Sequence, residues 1–314
     1  MGKGKGREHF HMSIRIGTAP DSWGIWFPND PKQIPWQQCL DEMKEAGYKT
    51  LELGPWGYLP TDPVQLQEEL SKRDLELVAT TLMTDIVFVQ DLQPIYETLD
   101  QILSLQQHFS SAAYLVLIDG MYTDLFTGER IAEKELSDVQ WQQMITNIQK
   151  IVDYVKSKAD IKVVFHPHAE THVETEEEIE RLLKDIDVDL CLDTGHHLYA
   201  GGEPLSFIKK HADRIKYLHL KDCNTHIRKK MIENNCSFAQ GVQEGVMCDP
   251  ESGNVDFIQL TKVLRDIQFT GEAVVEQDMY PAPADAPFKI AKRTLEYFQE
   301  IGLVENSLVG EPCS

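Results

Sequence analysis

Four stretches decide how this chain reads: FHPH at 165–168, LCLDTGHH at 190–197, YLHLKD at 217–222 and VVEQD at 274–278. Each begins with apolar residues of strand type and ends in imidazole, carboxylate or ammonium groups. A polar residue that closes an apolar run sits where a strand leaves the core, and in an eight-stranded α/β barrel that rim is where chemistry is done.

Working outward, further short apolar runs lie at 14–19, 50–53, 75–82 and 113–118, and the four quoted stretches close runs at 161–165, 188–192, 215–220 and 272–275. Most are rich in Val, Ile and Leu without strict alternation, as in strands covered on both faces of a parallel sheet. Between them the period changes to that of amphipathic helices. The clearest places Trp141, Met144, Ile145, Ile148, Ile151, Val152 and Val155 on one face. Others centre on Trp36, Leu40 and Met43, on Ile95, Leu99 and Ile102, on Ile179 and Leu182, on Phe257, Leu260 and Leu264, and on Leu295 and Phe298. Eight strands, each followed by a helix, predict a (β/α)8 TIM barrel over 13–303. A long polar insertion is expected at 221–254, and the acidic run 174–178 reads as a first helical turn complementing the macrodipole. Residues 1–12 read as a disordered or tag-like leader and 304–314 as a tail. A doubly wound sheet is the runner-up, but no G-x-G-x-x-G follows the first strand.

Composition narrows the function. Thirty Lys plus Arg against 51 Asp plus Glu give a net charge of −21, which argues against nucleic acid or an anionic membrane as a main partner. The six cysteines form no C-x-x-C pair, and a reducing cytoplasm suits them better than a disulfide scaffold. Nothing in the sequence locates an interface, though a homo-oligomer is compatible with it.

Four consecutive strand ends offer His166 or His168, then Asp193, His219 and Glu276. Two imidazoles and two carboxylates suit Mn²⁺, Co²⁺, Fe²⁺ or Zn²⁺, whereas an all-oxygen cage would favour Mg²⁺ or Ca²⁺. His196 follows Asp193 by three residues on the same rim, and Lys221 and His172 are further candidates for substrate orientation or acid duty. Trp23, after the first strand, either stacks on a sugar or cyclitol ring or plugs the core. Glu52, inside a strand run, either bonds substrate hydroxyls or pairs with Arg15 or Lys221, and Asp119 poses the same question. His226, Arg228, Lys229 and Lys230 form either a solvated loop or part of a lid.

The fragments GTAPDSWGIWFPNDP, LELGPWGYLPTDP, FHPHAETHVET, LCLDTGHHLYAGG, YLHLKD and VVEQD resemble the sugar-phosphate isomerase and epimerase superfamily, whose members have a xylose-isomerase-like barrel. Within it the pattern most resembles inosose dehydratases and related inositol-catabolism proteins. The resemblance implies a metal held by the fifth to eighth strands, commonly through Glu, Asp, His and Glu. Asp193, His219 and Glu276 match the last three, while His166 or His168 replaces the first glutamate. The superfamily's ketose epimerases and isomerases move a proton through a glutamate pair of which this chain has only Glu276. A metal-dependent dehydratase acting on a cyclic polyol ketone such as inosose is therefore the leading expectation, with Glu276, His196, His168 and Lys221 as the acid–base candidates. Its binding residues would be Trp23, Glu52, His168, His172, His196 and Lys221. A ketose or sugar-phosphate isomerase or epimerase comes second. An endonuclease of the same barrel type and a non-catalytic sugar-binding protein are remoter alternatives.

Overall fold

Eight parallel strands close into the expected barrel: β1 (Ile16–Thr18), β2 (Thr50–Glu52), β3 (Glu76–Thr84), β4 (Tyr114–Asp119), β5 (Lys162–Phe165), β6 (Asp189–Asp193), β7 (Ile215–Leu220) and, after two short strands, β10 (Glu272–Val275). The computed structural model describes residues 14–304, so the expected leader and all but the first residue of the expected tail lie outside the described residues. Around the ring the order is β1-β10-β7-β6-β5-β4-β3-β2, which is chain order once the short strands are set aside. Such nearest-neighbour winding is what right-handed βαβ units produce.

The apolar residues divide as the two-sided strand pattern requires. Val78, Val116, Val164, Cys191, Tyr217 and Val274 fill the barrel interior. The opposite faces, among them Leu51, Leu77, Leu115, Leu117, Phe165, Leu190, Leu192 and Leu218, pack under the helices. Because neighbouring residues on a strand point to opposite faces, Tyr217 and His219 share the inner face of β7, as Cys191 and Asp193 share that of β6. That alternation carries polar side chains to the rim.

The outer helices are α1 (Trp36–Ala46), α2 (Pro63–Ser71), α3 (Gln93–Gln106), α4 (Asp138–Lys158), α5 (Glu176–Asp185), α6 (Thr194–Tyr199), α7 (Pro204–Lys210), α10 (Phe257–Asp266) and α11 (Ala286–Glu300). Ser137 with Gln140 and Thr175 with Glu178 form capping boxes that start α4 and α5. The acidic run thus splits: Glu176, Glu177 and Glu178 occupy the first turn of α5, whereas Glu174 lies before it and is buried. Helix α2 left little apolar signal because it buries only Leu66 and Leu70.

The 221–254 insertion is not merely a polar loop. It folds as β8 (Asp222–Cys223), α8 (Thr225–Asn234), α9 (Phe238–Gln243) and β9 (Met247–Cys248), with β8 and β9 antiparallel. Met231, Phe238, Val242, Val246 and Met247 form its own small core against Ala169 and Tyr199. Asp222 fastens its base: Oδ1 accepts N–H groups from Cys223, Asn254 and Val255, and Oδ2 accepts that of Gly253. His226, Lys229 and Lys230 are indeed solvated on α8, while Arg228 lies over the Tyr199 ring, 3.7 Å from its centroid. Among the described residues no helix is long and apolar enough to cross a membrane.

Candidate active site

At the C-terminal mouth of the barrel, His166, Asp193, His219 and Glu276 each offer one ligand atom, and these atoms all lie within 4.8 Å of one another. All four are buried or nearly so. Their neighbours fix which atom of each faces the centre. Asp193 is the N-cap of α6, and its Oδ1 accepts the N–H groups of Gly195 and His196, both at 2.8 Å. Its Oδ2 is left toward the cluster. The His166 Nδ1–H donates to the Pro167 carbonyl at 2.6 Å, so Nε2 carries the free lone pair. His219 is turned the other way: Nε2–H donates to Glu52 Oε2 at 2.8 Å, leaving Nδ1 for the centre, 3.1 Å from Glu276 Oε2. A carboxylate that orients the far nitrogen of an imidazole is a recurring support of metal-ligating histidine.

Do these residues fit a cation? Asp193 Oδ2 and His219 Nδ1 are buried side-chain atoms that no well-aligned hydrogen-bond donor meets, although Lys221 Nζ lies 3.2 Å from Asp193 Oδ2. Orphaned buried acceptors of this kind are unfavourable unless something positive satisfies them. Cys191 also lies within ligand reach of His166 and His219, and burial raises the pKa of its thiol. The mixed set of two imidazoles and two carboxylates fits a divalent transition metal.

Lys221 stands beside this cluster, with Nζ 2.9 Å from Asp278 Oδ2 and 3.2 Å from both Asp193 Oδ2 and Glu276 Oε2. Burial opposes its charge, yet the carboxylates of Asp193, Asp278 and Glu276 outweigh that and hold its pKa well above the ordinary lysine value. Burial likewise disfavours ionised Glu276, but while no metal holds Nδ1 of His219 a protonated His219, together with Lys221, keeps its carboxyl far below the usual range. Gly195 makes room for the lysine stem: a Cβ there would lie 2.6 Å from Lys221 Cγ. His168 and His196 pack ring to ring at 3.9 Å, and burial lowers the pKa of both. The His168 Nδ1–H donates to the Ala169 carbonyl at 3.0 Å, which leaves its Nε2 as an acceptor. His196 Nε2 lies 3.2 Å from Lys221 Nζ, 3.7 Å from Asp278 Oδ2 and 3.9 Å from Asp193 Oδ2.

A family profile described as a xylose isomerase-like TIM barrel matches residues 40–301. The chain belongs to the xylose isomerase-like TIM barrel family. Among curated proteins it is similar to inosose dehydratases, at 30% identity over 308 residues for that of Clostridium perfringens, covering 93% of this chain and 98% of the relative. The Bacillus cereus inosose dehydratase is also 30% identical, over 301 residues, with 92% and 97% covered. Solved structures share the barrel at lower identity. The probable 3-DHS dehydratase AsbF of Bacillus anthracis has 17% identity and a TM-score of 0.68 over 91% of this chain and 99% of that one. The IOLI protein, solved with a zinc atom, has 14% identity and a TM-score of 0.68 over 92% and 98%.

Within this xylose isomerase-like barrel, His168, Glu52 and Lys221 line one cavity of about 670 Å³ together with His166, His219 and Glu276. Three expectations need correction. Trp23 does not line that cavity: it is 1% exposed, and its indole Nε1–H donates to Glu42 at 2.8 Å, so it is a packing residue. Glu52 pairs with neither Arg15 nor Lys221 but accepts from His219, Tyr217 and Thr81, while Arg15 is tied to Glu76 and Glu272. His172 is not a substrate group, because Nδ1–H donates to Asp119 at 2.6 Å and Nε2–H to the Glu133 carbonyl at 2.9 Å. That pair also answers the question over Asp119.

Two acids escaped the sequence reading. Asp21 and Asp278 both line the cavity, and Lys221 Nζ lies 2.9 Å from Asp278 Oδ2 and 3.9 Å from Asp21 Oδ2. Burial and the neighbouring Asp278 charge push the Asp21 pKa well above the carboxylate range. Asp278, two residues beyond Glu276, was within reach of the strand-end rule. Asp21 gave no signal, since an acid in a Pro-Asp-Ser-Trp turn reads as an ordinary turn residue.

Proposed function

We propose that this chain is a metal-dependent hydro-lyase that removes water from a cyclic polyol ketone such as 2-keto-myo-inositol (inosose), in inositol catabolism. The observation that carries the reading is the convergence of His166, Asp193, His219 and Glu276 within 4.8 Å, beside an ammonium group and a neutral imidazole. The curated relatives named inosose dehydratase support the substrate, and the zinc atom of the IOLI protein supports a metal in this kind of barrel.

His166 Nε2, Asp193 Oδ2, His219 Nδ1 and a Glu276 oxygen would hold the ion. When bound it would polarise the ketone and stabilise the oxyanion that develops as the α-proton leaves. The protein's own groups do the rest. His168 Nε2 is placed to accept the α-proton, since its Nδ1–H is committed to Ala169. The Lys221 ammonium, held charged by three carboxylates, donates a proton to the departing β-hydroxyl, which leaves as water. The ring is left with a carbon–carbon double bond bearing a hydroxyl, the enol of a vicinal dione. His196, against both His168 and Lys221, returns the proton balance between them. No second glutamate stands at the end of β5, so a symmetric two-carboxylate relay has no partner for Glu276.

The test is dione formation from inosose by protein stripped with a chelator and reloaded with Mn²⁺, Co²⁺, Fe²⁺ or Zn²⁺. Turnover that needs the metal, and is lost together with metal content in His219→Ala and Glu276→Ala, supports the assignment. Full activity in the chelated protein or in both variants removes it.

A further inference from the structure

The cavity at the barrel mouth has two unlike parts. Its floor carries the polar cluster, whereas the wall from the first half of the barrel is formed chiefly by Trp26, Phe27, Trp56, Leu82, Met83 and Met121. Farther out, Met83 is 45% exposed, and Phe126 and Ile131 on the loop after β4 are 48% and 66% exposed. Large apolar side chains left open around a pocket are not packing the protein's own core. Part of this wall is preset. The Trp26 indole N–H donates to Asp21 at 3.0 Å, and its ring stacks on Tyr280 at 5.0 Å. Phe27 meets Tyr280 edge-on at 5.4 Å.

A bare inosose carries an oxygen on every ring carbon. Against this wall its outward hydroxyls would lose water and gain few partners. Its size also leaves most of a 670 Å³ cavity unfilled. We propose that the substrate is a cyclic keto-polyol bearing a flat apolar substituent, such as an aryl or benzyl ether, on a ring carbon away from the reacting ones. The ring sits on the polar floor and the substituent lies against the Trp26–Trp56 wall. The occupant is a part of the substrate because the wall is continuous with the floor in a single cavity. This specificity rests on the dehydratase reading and sharpens its substrate class.

The experiment compares kcat/KM for inosose and for an O-benzyl inosose ether, with metal-loaded protein and with Trp56→Ala. Burying a phenyl-sized group raises affinity by about tenfold to a hundredfold. The expected result is a preference of at least tenfold for the ether, seen mainly in KM, which Trp56→Ala reduces severalfold. Equal or better turnover of plain inosose overturns this inference and leaves the dehydratase reading standing. If neither compound is turned over, the dehydratase reading fails. Calorimetry with myo-inositol and its O-benzyl ether then still decides the wall: tenfold tighter binding of the ether supports it, and equal binding overturns it. Concentration-dependent dimerisation that Phe126→Asp abolishes, with no preference for the ether, would assign the wall to a second copy of the chain.

Discussion

Strands β5, β6, β7 and β10 deliver His166, Asp193, His219 and Glu276 to the mouth, whereas the half built on β1–β4 delivers the carboxyl groups of Glu52 and Asp21 and an apolar wall. Both halves use the same device, an alternating strand whose inner-face residue reaches the rim. They differ in what the delivered groups need. The second half concentrates charges that are unstable without one another. The first half supplies a group that orients, through Glu52 to His219, and surfaces that exclude water.

Lys221→Met tests the charge balance hardest. Removing the ammonium leaves Asp193, Asp278 and Glu276 facing one another, and breaking a buried ion pair from one side costs about 3–5 kcal/mol. Urea unfolding of the chelated protein at neutral pH should show that loss, and added divalent metal should recover part of it. A loss below about 1 kcal/mol would show the acids to be solvated well enough to stand alone.

Glu52→Gln probes the reach of the first half into the second. The amide can still accept from His219 Nε2–H but carries no charge, and loss of such an outer partner lowers metal affinity about 10–100-fold. Competition with a chromophoric chelator measures it. Unchanged affinity would mean that the two halves are energetically separate.

This division explains what could be read in advance. All eight strands were legible because apolar runs of four to eight residues separated by helical spacing leave few other folds, and β7 and β10 fall on the residues expected. The polar centre was legible because His, Asp and Glu at strand ends are chemically conspicuous. The wall was not, since Trp56 and Met83 have the composition of core, and only the closed barrel shows that they face a cavity. Trp23 could be read either as a ring-stacking residue or as a core plug for the converse reason: nothing in its spacing reveals that Glu42 of α1 receives its N–H. The order inside 221–254 stayed hidden because Asp222 stabilises it through backbone N–H groups, which leave no side-chain pattern.

Trp23→Phe tests that correction at smaller scale. It removes one partly buried hydrogen bond to Glu42 and should lower stability by about 0.5–1.5 kcal/mol, seen as a lower Tm, without changing KM for the ketone. A raised KM with unchanged Tm would return Trp23 to the pocket.

The smallest expected effect is a dependence on pH that belongs to neither the metal cluster nor the wall. His172 places both ring nitrogens on groups that only accept, the Asp119 carboxylate and the Glu133 carbonyl, so the ring holds two protons and a positive charge. Burial works against that charge, but the hydrogen bond and charge of Asp119, helped by Asp85, raise its pKa above the ordinary 6.5. The folded protein therefore binds this proton more tightly than the unfolded chain does. The stabilisation is complete below the unfolded value of about 6.5 and disappears as pH rises through the raised folded value. Asp119→Asn removes the charge that sustains it. Unfolding free energies measured from pH 6 to pH 9 should fall with rising pH less steeply in the variant than in the parent. An identical slope in both would mean that His172 is neutral in the fold and that its link to Asp119 adds no proton-linked stability.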